Sequence, residues 1–560
     1  MRKVFFYSNS ILICVWVGIF FIFQFSSYGY FTDQIIKLLH IEDSSQGILI
    51  SILNPGVFLK LKWLFLALAI FQTGVLILVN KKPMILQQIK KCLLSIIEYP
   101  KWLWVNFNSL NKIEKILFGS FLTVVIIQRL WLSNITDVIY DEAWTYLAFT
   151  SKNPMLAACF YPTSNNHILF SHLTQLTKIL SFDILTNLRM AALIPNILAI
   201  VTLFFCLRKF VKPLVAWCGI ILFAFSFPMV YYGFVARGYS LMVLFFIIGF
   251  FSVIAIMQNP DNKNAWFRLM ISSVLGFYTI PVYLYPFVSM MGFVFIYFLK
   301  KKDLASILRT LKFGLATCIL TLAVYTPIFA INGIGSVTNN KFVTPLSLNE
   351  VALGFKQHLN QTIQFFTLSD YGYLLIILVI VLVILIFKNI KSKSAFYLSV
   401  FIIIITPAFI FIHKVLPVER TWIYLMVVFI FLICVLINNL KWPVLAIVFS
   451  FIYSVIVQVG WNKQMLWYDA ICKEDYLQGK HFSDYFHNKK VSIVTTSRMN
   501  TYLKFNKLLQ NENWQIETDS IEVSDTCYYI HYKEKDKYPP TSFKKIGTNG
   551  NYELYLVNIE

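Results

Sequence analysis

The chain has 560 residues, of which 58% are hydrophobic and only 13% are charged. Soluble domains are about 45–50% apolar, so this composition excludes a soluble globular protein and indicates a chain that crosses a membrane many times. The net charge of +21 does not indicate nucleic-acid binding, because the lysines and arginines form short runs between apolar stretches and not one basic face.

Apolar stretches long enough to cross a bilayer recur along the chain, and a spanning helix needs about 20 such residues. The sequence predicts about thirteen transmembrane helices. They lie near 4–25, 58–79, 115–133, 187–206, 213–230, 240–257, 267–283, 284–299, 313–332, 372–388, 396–412, 421–438 and 442–460. The chain is therefore predicted to be a polytopic α-helical membrane protein.

The positions of the basic clusters predict the orientation. Arg2 and Lys3 place the N-terminus in the cytoplasm, and the later clusters fall at every second crossing, as cytoplasmic loops do. An odd number of helices then leaves the C-terminus outside. Three outside segments are long enough to carry chemistry: 134–186, 333–371 and the tail from 461.

The first candidate motif is Tyr140-Asp141-Glu142-Ala143, which follows the third predicted span. Carboxylates next to a membrane are costly and often functional. One interpretation is an acid pair at the start of a surface helix, stabilised by the helix dipole. The other is a general base, Asp141, beside a second acid, Glu142.

A polar turn, Tyr161-Pro162-Thr163-Ser164-Asn165-Asn166-His167, lies in the same outside loop. His167 could be a structural hydrogen-bonding residue. Asn166 and His167 together also offer amide and imidazole groups that suit sugar hydroxyls or a metal. Short semi-polar stretches in this loop predict helices on the membrane surface and not further spans.

Arginines at predicted outer helix ends form the next candidates. Arg237, in Tyr231-Tyr232-Gly233-Phe234-Val235-Ala236-Arg237-Gly238-Tyr239-Ser240, lies outside the positive-inside pattern, and Arg189 begins the fourth span. Each could extend to lipid headgroups or bind a phosphate through two hydrogen bonds. In the turn from His413 to Trp422, Glu419 and Arg420 could form a structural pair, or Lys414 and Arg420 could neutralise a lipid phosphate.

The polar tail predicts a small α/β domain of about 90 residues, large enough for a modest core. Alternating patterns predict strands at 491–495, 527–532 and 552–557, and 500–509 predicts a helix. The chain contains no P-loop, GxGxxG, HExxH or GxSxG pattern, so common soluble mechanisms have no support.

In order and predicted side, these motifs resemble those of the GT-C glycosyltransferases. The most similar group is the protein mannosyltransferase-like family (glycosyltransferase family 39), with the aminoarabinose transferases and RgtA/B/C/D-like enzymes. Asp141-Glu142 resembles that family's first-loop motif, and Asn166-His167-Ile168-Leu169 its His-Pro-Leu-type motif, with Ile168 where proline is common. Leu188-Arg189-Met190, Ala236-Arg237-Gly238-Tyr239 and Glu419-Arg420 continue the likeness over roughly 115–440.

The resemblance implies three parts. Residues 1–110 would be a two-helix membrane extension with a basic cytoplasmic loop. Residues 111–460 would form the GT-C-like transmembrane catalytic domain, and 461–560 an extracytoplasmic α/β domain. The enzyme would lie in a bacterial inner membrane.

The resemblance also implies the reaction, in which a sugar moves from a polyprenyl-phosphate donor to an acceptor hydroxyl outside the cytoplasm. Asp141 would deprotonate the acceptor, with inversion at the sugar, and Glu142 would assist. The acceptor could be a lipid, a glycan or a protein. Some relatives bind a divalent metal, but we expect no essential one here. The substrate-binding residues would be Tyr140, Asn166, His167, Arg189, Tyr232, Arg237, Tyr239, Lys414 and Arg420.

Two other functions remain open from the sequence. A lipid-glycan or polysaccharide transporter would do no bond chemistry, but transporters usually carry polar residues near the bilayer midplane, and stretches such as 374–387 are almost wholly apolar. A sensor would need an output domain, and the longest predicted cytoplasmic loop has only about 35 residues, whereas domains typically have 50 or more.

Overall fold

The computed structural model describes residues 2–39, 54–81, 98–162, 164–339, 344–367, 393–438, 443–487, 489, 491–495, 497–510, 515–517, 527–533 and 543–557. Within this part of the chain, eight helices are long and apolar enough to cross a membrane. The prediction of a polytopic helical membrane protein is therefore confirmed. The predicted span at 372–388 lies outside the described residues, and the total of thirteen spans stays a prediction.

The described helices are numbered in chain order. They are α1 (Arg2–Phe25), α2 (Tyr28–Leu39), α3 (Pro55–Lys81), α4 (98–108), α5 (Lys112–Ile135), α6 (Tyr140–Thr145), α7 (Pro154–Cys159), α8 (Ile168–Thr177), α9 (Ile184–Leu207), α10 (Pro213–Ala224), α11 (Phe227–Tyr231), α12 (Tyr239–Gln258), α13 (Lys263–Thr279), α14 (Leu284–Lys300), α15 (Leu304–Asn332), α16 (Gly335–Thr338), α17 (Leu348–Thr367), α18 (Lys393–His413), α19 (Leu425–Ile437), α20 (Pro443–Val459), α21 (Trp461–Tyr485) and α22 (Ser497–Gln510).

The centre of the helical bundle is formed by α9 and α12, whose most apolar segments are 72% and 83% buried. The N-terminal pair α1 and α3 lies at the periphery, where the corresponding values are 6% and 11%. Its helices pack on each other through Phe23 and Phe58, whose rings stack 5.3 Å apart. Lipid tails are as apolar as leucine, so they can solvate the apolar faces of α1 and α3 that do not pack on other helices.

The span predicted at 213–230 is two helices, α10 and α11, separated at Phe225 and Ser226. Pro228 has no N–H to donate to Ala224, four residues earlier, and its ring clashes with a continuing helix. Buried Arg129 of α5 donates its guanidinium to the Ala224 carbonyl instead. An arginine side chain therefore replaces the hydrogen bond that the proline removes.

The segment 134–186, which the sequence predicts to be an outside loop, contains short helices, as predicted. α6 has six residues and runs directly into a five-residue π-helix, Tyr146–Thr150. α7 is capped by Asn153, which accepts a hydrogen bond from the Met155 backbone. α8 begins after His167, and its buried residues recur at helical spacing among residues that are mostly half-buried.

A small C-terminal α/β domain follows α21. Its five strands are β1 (Ser492–Thr495), β2 (Gln515–Glu517), β3 (Cys527–Tyr532), β4 (Lys544–Asn549) and β5 (Tyr552–Val557), in the order β2-β1-β3-β5-β4. β1 pairs in parallel with β2 and β3, whereas β5 pairs antiparallel with β3 and β4. The predicted strands and helix are all present, while α21, β2 and β4 were not predicted.

Candidate active site

A cavity of 630 Å³ lies where the segments after α5, α7, α11, α13 and α18 meet. Its volume is that of a typical small-molecule site. Six of the residues selected from the sequence line it: Tyr140, Asp141, His167, Arg237, Tyr239 and Arg420. Its other wall is apolar and comes from membrane helices, with Phe277, Leu284 and Leu322 among its residues. One cavity therefore combines a charged end with an apolar end.

Asp141 and Glu142 point in different directions, because neighbouring residues on a helix lie about 100° apart. Glu142 faces the bundle and is fully buried. Its carboxylate accepts hydrogen bonds from Arg189 Nε at 3.0 Å and Arg189 NH2 at 2.8 Å. It also accepts from the backbone N–H groups of Ala236 at 2.8 Å and Ile139 at 3.2 Å. Glu142 thus joins α6 to α9 and to the segment before α12.

Arg189 does not line the cavity, so the geometry does not fit the sequence interpretation of this residue as a phosphate ligand. Its side chain is 2% exposed, and besides Glu142 it donates to the backbone carbonyls of Ser133, Thr136 and Asp137. The same geometry makes Glu142 a structural partner of Arg189 and not a group that reaches a substrate. Glu142 therefore fits the interpretation of an acid at the start of a helix, whereas Asp141 is the carboxylate that faces the cavity.

Asp141 faces the cavity with its side chain 29% exposed. One carboxylate oxygen lies 3.8 Å from Arg237 Nε, which has no hydrogen-bond acceptor among the described residues. Arg237 NH1 donates to Thr145 Oγ1 at 3.3 Å and to the Asn165 carbonyl at 3.0 Å. Arg237 therefore ties α6 to the 164–167 turn and directs its Nε edge towards Asp141.

His167 is 3% exposed, and its neighbours determine its tautomer. The Gly238 backbone N–H donates to His167 Nδ1 at 2.8 Å, so Nδ1 carries no proton. Burial, together with the charges of Arg237 and Arg420, holds the pKa of His167 well below its ordinary value, so the ring is neutral at pH 7. The hydrogen-bond network thus assigns the single ring proton to Nε2.

His167 Nε2 lies 3.0 Å from Arg237 NH2. A guanidinium has only donors, and protonated Nε2 is also a donor. Two N–H groups of different side chains therefore converge, and no acceptor among the described residues lies between them. An anionic oxygen at this point would accept from both, and hydrogen bonds to a charged acceptor are stronger than neutral ones.

Gly238 allows His167 to approach the backbone this closely. A Cβ at this position would lie 3.0 Å from His167 Nδ1 and 2.8 Å from Thr279 Cγ2. We expect Gly238→Ala to displace the imidazole and to lower turnover by about 10–10²-fold, since a misplacement of about 1 Å can have that effect. Steady-state kinetics would measure it. Gly119→Ala is the matched control, because its Cβ would meet no atom within 4 Å. Equal turnover in the two variants would contradict the role given to Gly238.

Tyr239 connects Arg420 to His167. Arg420 Nε donates to the Tyr239 hydroxyl at 3.0 Å, and the Tyr239 ring meets the His167 ring edge-on at 5.2 Å. Arg420 lies in the short 3₁₀-helix Glu419–Trp422 and lines the same cavity. Residues more than 250 positions apart in the sequence thus converge on one charged region.

The other selected residues do not line the cavity. The Asn166 amide donates to the Ala157 and Phe160 carbonyls and accepts from Ser171 Oγ, so it holds the loop together. The Tyr232 ring packs against the Tyr239 ring, with the two ring centres 4.4 Å apart. Lys414 has φ 56°, and its backbone carbonyl accepts a hydrogen bond from the Leu346 N–H. This hydrogen bond stabilises a turn.

Several cavity residues were not selected from the sequence. Trp144 lies three residues after Asp141 on the same helix face, so helical spacing could have identified it. Tyr285 and His413 also line the cavity, and the Tyr285 hydroxyl lies 3.1 Å from His413 Nδ1. No spacing signal relates these two, because 128 positions separate them in the sequence.

The described residues do not form a metal site made only of protein side chains. Among them, no three His, Cys, Asp or Glu side chains converge as the ligands of such a site would. Glu142 is occupied by Arg189, and His167 presents a proton to the cavity.

No protein-family profile matches the chain, and no curated protein matches it. A crystal structure of ArnT from Cupriavidus metallidurans bound to undecaprenyl phosphate is similar at 10% sequence identity, with a TM-score of 0.49. The match covers 79% of this chain and 98% of that chain. Similarity at this level does not assign a fold or a function.

Proposed function

We propose that the protein is a membrane glycosyltransferase that moves a sugar from a polyprenyl-phosphate donor to an acceptor hydroxyl. The observation that carries the proposal is the cavity itself, which joins a carboxylate and converging cationic donors to an apolar wall of membrane helices. A phosphate with a sugar on one side and a long hydrocarbon on the other has the matching distribution of polarity. The sequence resemblance to GT-C enzymes agrees with this assignment.

Asp141 acts as the base in this proposal. Its carboxylate takes the proton of the acceptor hydroxyl, and the acceptor oxygen attacks the anomeric carbon of the sugar. The bond between that carbon and the phosphate oxygen breaks, and its electron pair stays on the phosphate. The attacking oxygen enters opposite the leaving group, so the configuration at the anomeric carbon inverts.

Arg237 and His167 stabilise the departing phosphate. The Nε2–H of neutral His167 and the guanidinium of Arg237 both supply hydrogen bonds where charge develops, which is how fixed donors lower a barrier. His167 is a donor throughout and not a base, because Gly238 occupies its only lone pair. Arg420, whose Nε donates to the Tyr239 hydroxyl, adds a second positive charge to the cavity lining.

We propose that the site lies on the extracytoplasmic face, as the positions of the basic clusters predict. Nucleotide sugars do not cross membranes, so an outward site needs a lipid-carried donor. We propose a bacterial inner membrane, with the N-terminus in the cytoplasm and the C-terminus outside. The division into 1–110, 111–460 and 461–560 is part of this proposal.

The test is reconstitution in vesicles with polyprenyl-phosphate sugars as donors, with mass spectrometry of the lipid and glycan products. Comparison of surface glycans and lipids with those of a deletion strain would identify the acceptor. Release of polyprenyl phosphate together with a new glycosidic bond would support the enzyme. Accumulation of unaltered lipid-linked sugar on the far side of the vesicle would contradict it and favour a transporter.

Arg237→Lys is expected to weaken binding of polyprenyl phosphate and to lower turnover by about 10²-fold or more. A lysine keeps the charge but cannot bond Thr145, Asn165 and a phosphate at once, because its ammonium is a single point of charge. Lipid-binding assays and initial rates would measure both effects. Arg208→Lys is the control, since Arg208 pairs with Glu114 away from the cavity. Wild-type binding by Arg237→Lys would refute the phosphate role.

A further inference from the structure

Helix α22 of the C-terminal domain carries two separate buried stripes. Met499 and Leu503 belong to the core of that domain, where they pack with Ile530 of β3. Tyr502 and Phe505 form a second stripe, and both are fully buried. Residues three or four positions apart share a helix face, so each pair defines its own face.

The second stripe packs on α6 and on Val138, two residues before it. Tyr502 and Phe505 form one apolar cluster with Val138 and Ala143. The Tyr140 and Tyr502 rings meet edge-on at 6.1 Å, and those of Tyr146 and Phe505 at 5.6 Å. The cluster thus joins the C-terminal domain to the helix that carries the proposed base.

Arg498 extends the same stripe by one turn. Its guanidinium lies over the Tyr140 ring, 5.6 Å from the ring centre, and pairs with Asp475 at 2.9 Å. Asp475 also accepts a hydrogen bond from the Tyr552 hydroxyl at 3.0 Å. The contact with α6 is therefore anchored in β5 and α21 of the domain.

Helix α6 needs such support because it has only six residues. Isolated helices shorter than about 12–15 residues are marginally stable, and a short helix keeps its orientation only through its packing. Glu142 holds one face to the bundle and Arg237 holds a second through Thr145. Tyr140 and Ala143 form the third face, which belongs to one apolar cluster with Tyr502 and Phe505 of α22.

We infer that α22 positions Asp141, with Tyr502 and Phe505 as positioning residues that hold α6 in the orientation that directs the carboxylate into the cavity. The inference rests on the proposed function. Neither residue lines the cavity, so neither touches the reacting atoms. The C-terminal domain is then a part of the catalytic apparatus.

The test compares variants of the full-length protein in vesicles. Tyr502→Ala and Phe505→Ala should each lower kcat about tenfold or more and leave the donor KM within about twofold, because a tilted base impairs the chemical step and not binding. Tyr502→Phe keeps the ring and should retain most of the activity. Hydrogen–deuterium exchange in the peptide spanning 140–145 should rise in both alanine variants.

Two variants on the same helix are matched controls. Leu508→Ala changes a residue that is 47% exposed and should alter neither kcat nor exchange. Leu503→Ala removes a fully buried side chain from the other stripe, so it weakens the domain without touching α6. A fall in kcat with Leu503→Ala as large as with Tyr502→Ala would overturn the inference, because domain stability alone would then explain it.

Asp141→Asn, assayed in parallel, separates this inference from the proposed function. If Asp141→Asn keeps wild-type turnover, the proposed base fails, and unchanged exchange at 140–145 in the alanine variants would then reject the docking independently. If Asp141→Asn is inactive while Tyr502→Ala and Phe505→Ala keep wild-type kcat, only the positioning inference fails.

Discussion

Asp141→Asn is expected to lower sugar transfer by about 10²–10⁴-fold, the usual contribution of a general base. An asparagine fills the same space next to Arg237 but cannot take the proton of an acceptor hydroxyl. Donor binding should persist, because His167, Arg237 and Arg420 remain. Initial rates and lipid binding in the same vesicle preparation would measure the two separately.

Asp137→Asn is the matched control for this substitution. Asp137 lies in the same loop, four residues earlier, and does not line the cavity. We expect it to keep wild-type turnover. Wild-type turnover by Asp141→Asn, at a normal protein level, would eliminate Asp141 as the base.

Glu142→Ala is expected to lower the stability of the protein, whereas Asp141→Asn is expected to lower its rate of sugar transfer. It leaves Arg189 buried and without its carboxylate, and breaking a buried ion pair in this way typically destabilises a protein by about 3–5 kcal/mol. The backbone N–H of Ala236 also loses its acceptor. We expect lower yield and a lower unfolding temperature in detergent, measured by thermal unfolding.

Glu142→Gln tests the reason for that loss. The glutamine oxygen can still accept from Ala236, so we expect a smaller destabilisation than with alanine. Asp141→Asn should unfold like the wild-type protein, because the Asp141 side chain is partly exposed and, among the described residues, its ion pair with Arg237 is a distant one. A Glu142→Ala variant with wild-type stability and no activity would return Glu142 to the catalytic role that the sequence first indicated.

Six of the residues selected from the sequence line one cavity, and the signals that marked them are local. Apolar length predicted the spans, and the position of Arg237 outside the basic clusters marked it as unusual. The pairing of Glu142 with Arg189 could not be predicted, because the two residues lie 47 positions apart in the sequence. The His167 tautomer likewise depends on a backbone N–H that lies 71 positions away.

The C-terminal domain illustrates the same limit. Alternating strands at 491–495, 527–532 and 552–557 were visible as local patterns. The 25 residues of α21 are polar and lack a clear apolar stripe, so their helix was not predicted. The contact of Tyr502 with Tyr140 joins segments 362 positions apart, and a single sequence contains no signal for such a pairing.

The apolar wall contributed by α13, α14 and α15 affects how the protein's kinetics should be measured. A donor that enters along this wall arrives from the plane of the bilayer, so its effective concentration is its mole fraction among the lipids. Diluting a fixed amount of donor with inert phospholipid should slow the reaction, whereas enlarging the aqueous volume should not. Michaelis constants for the donor are therefore meaningful as surface densities and not as molarities in water.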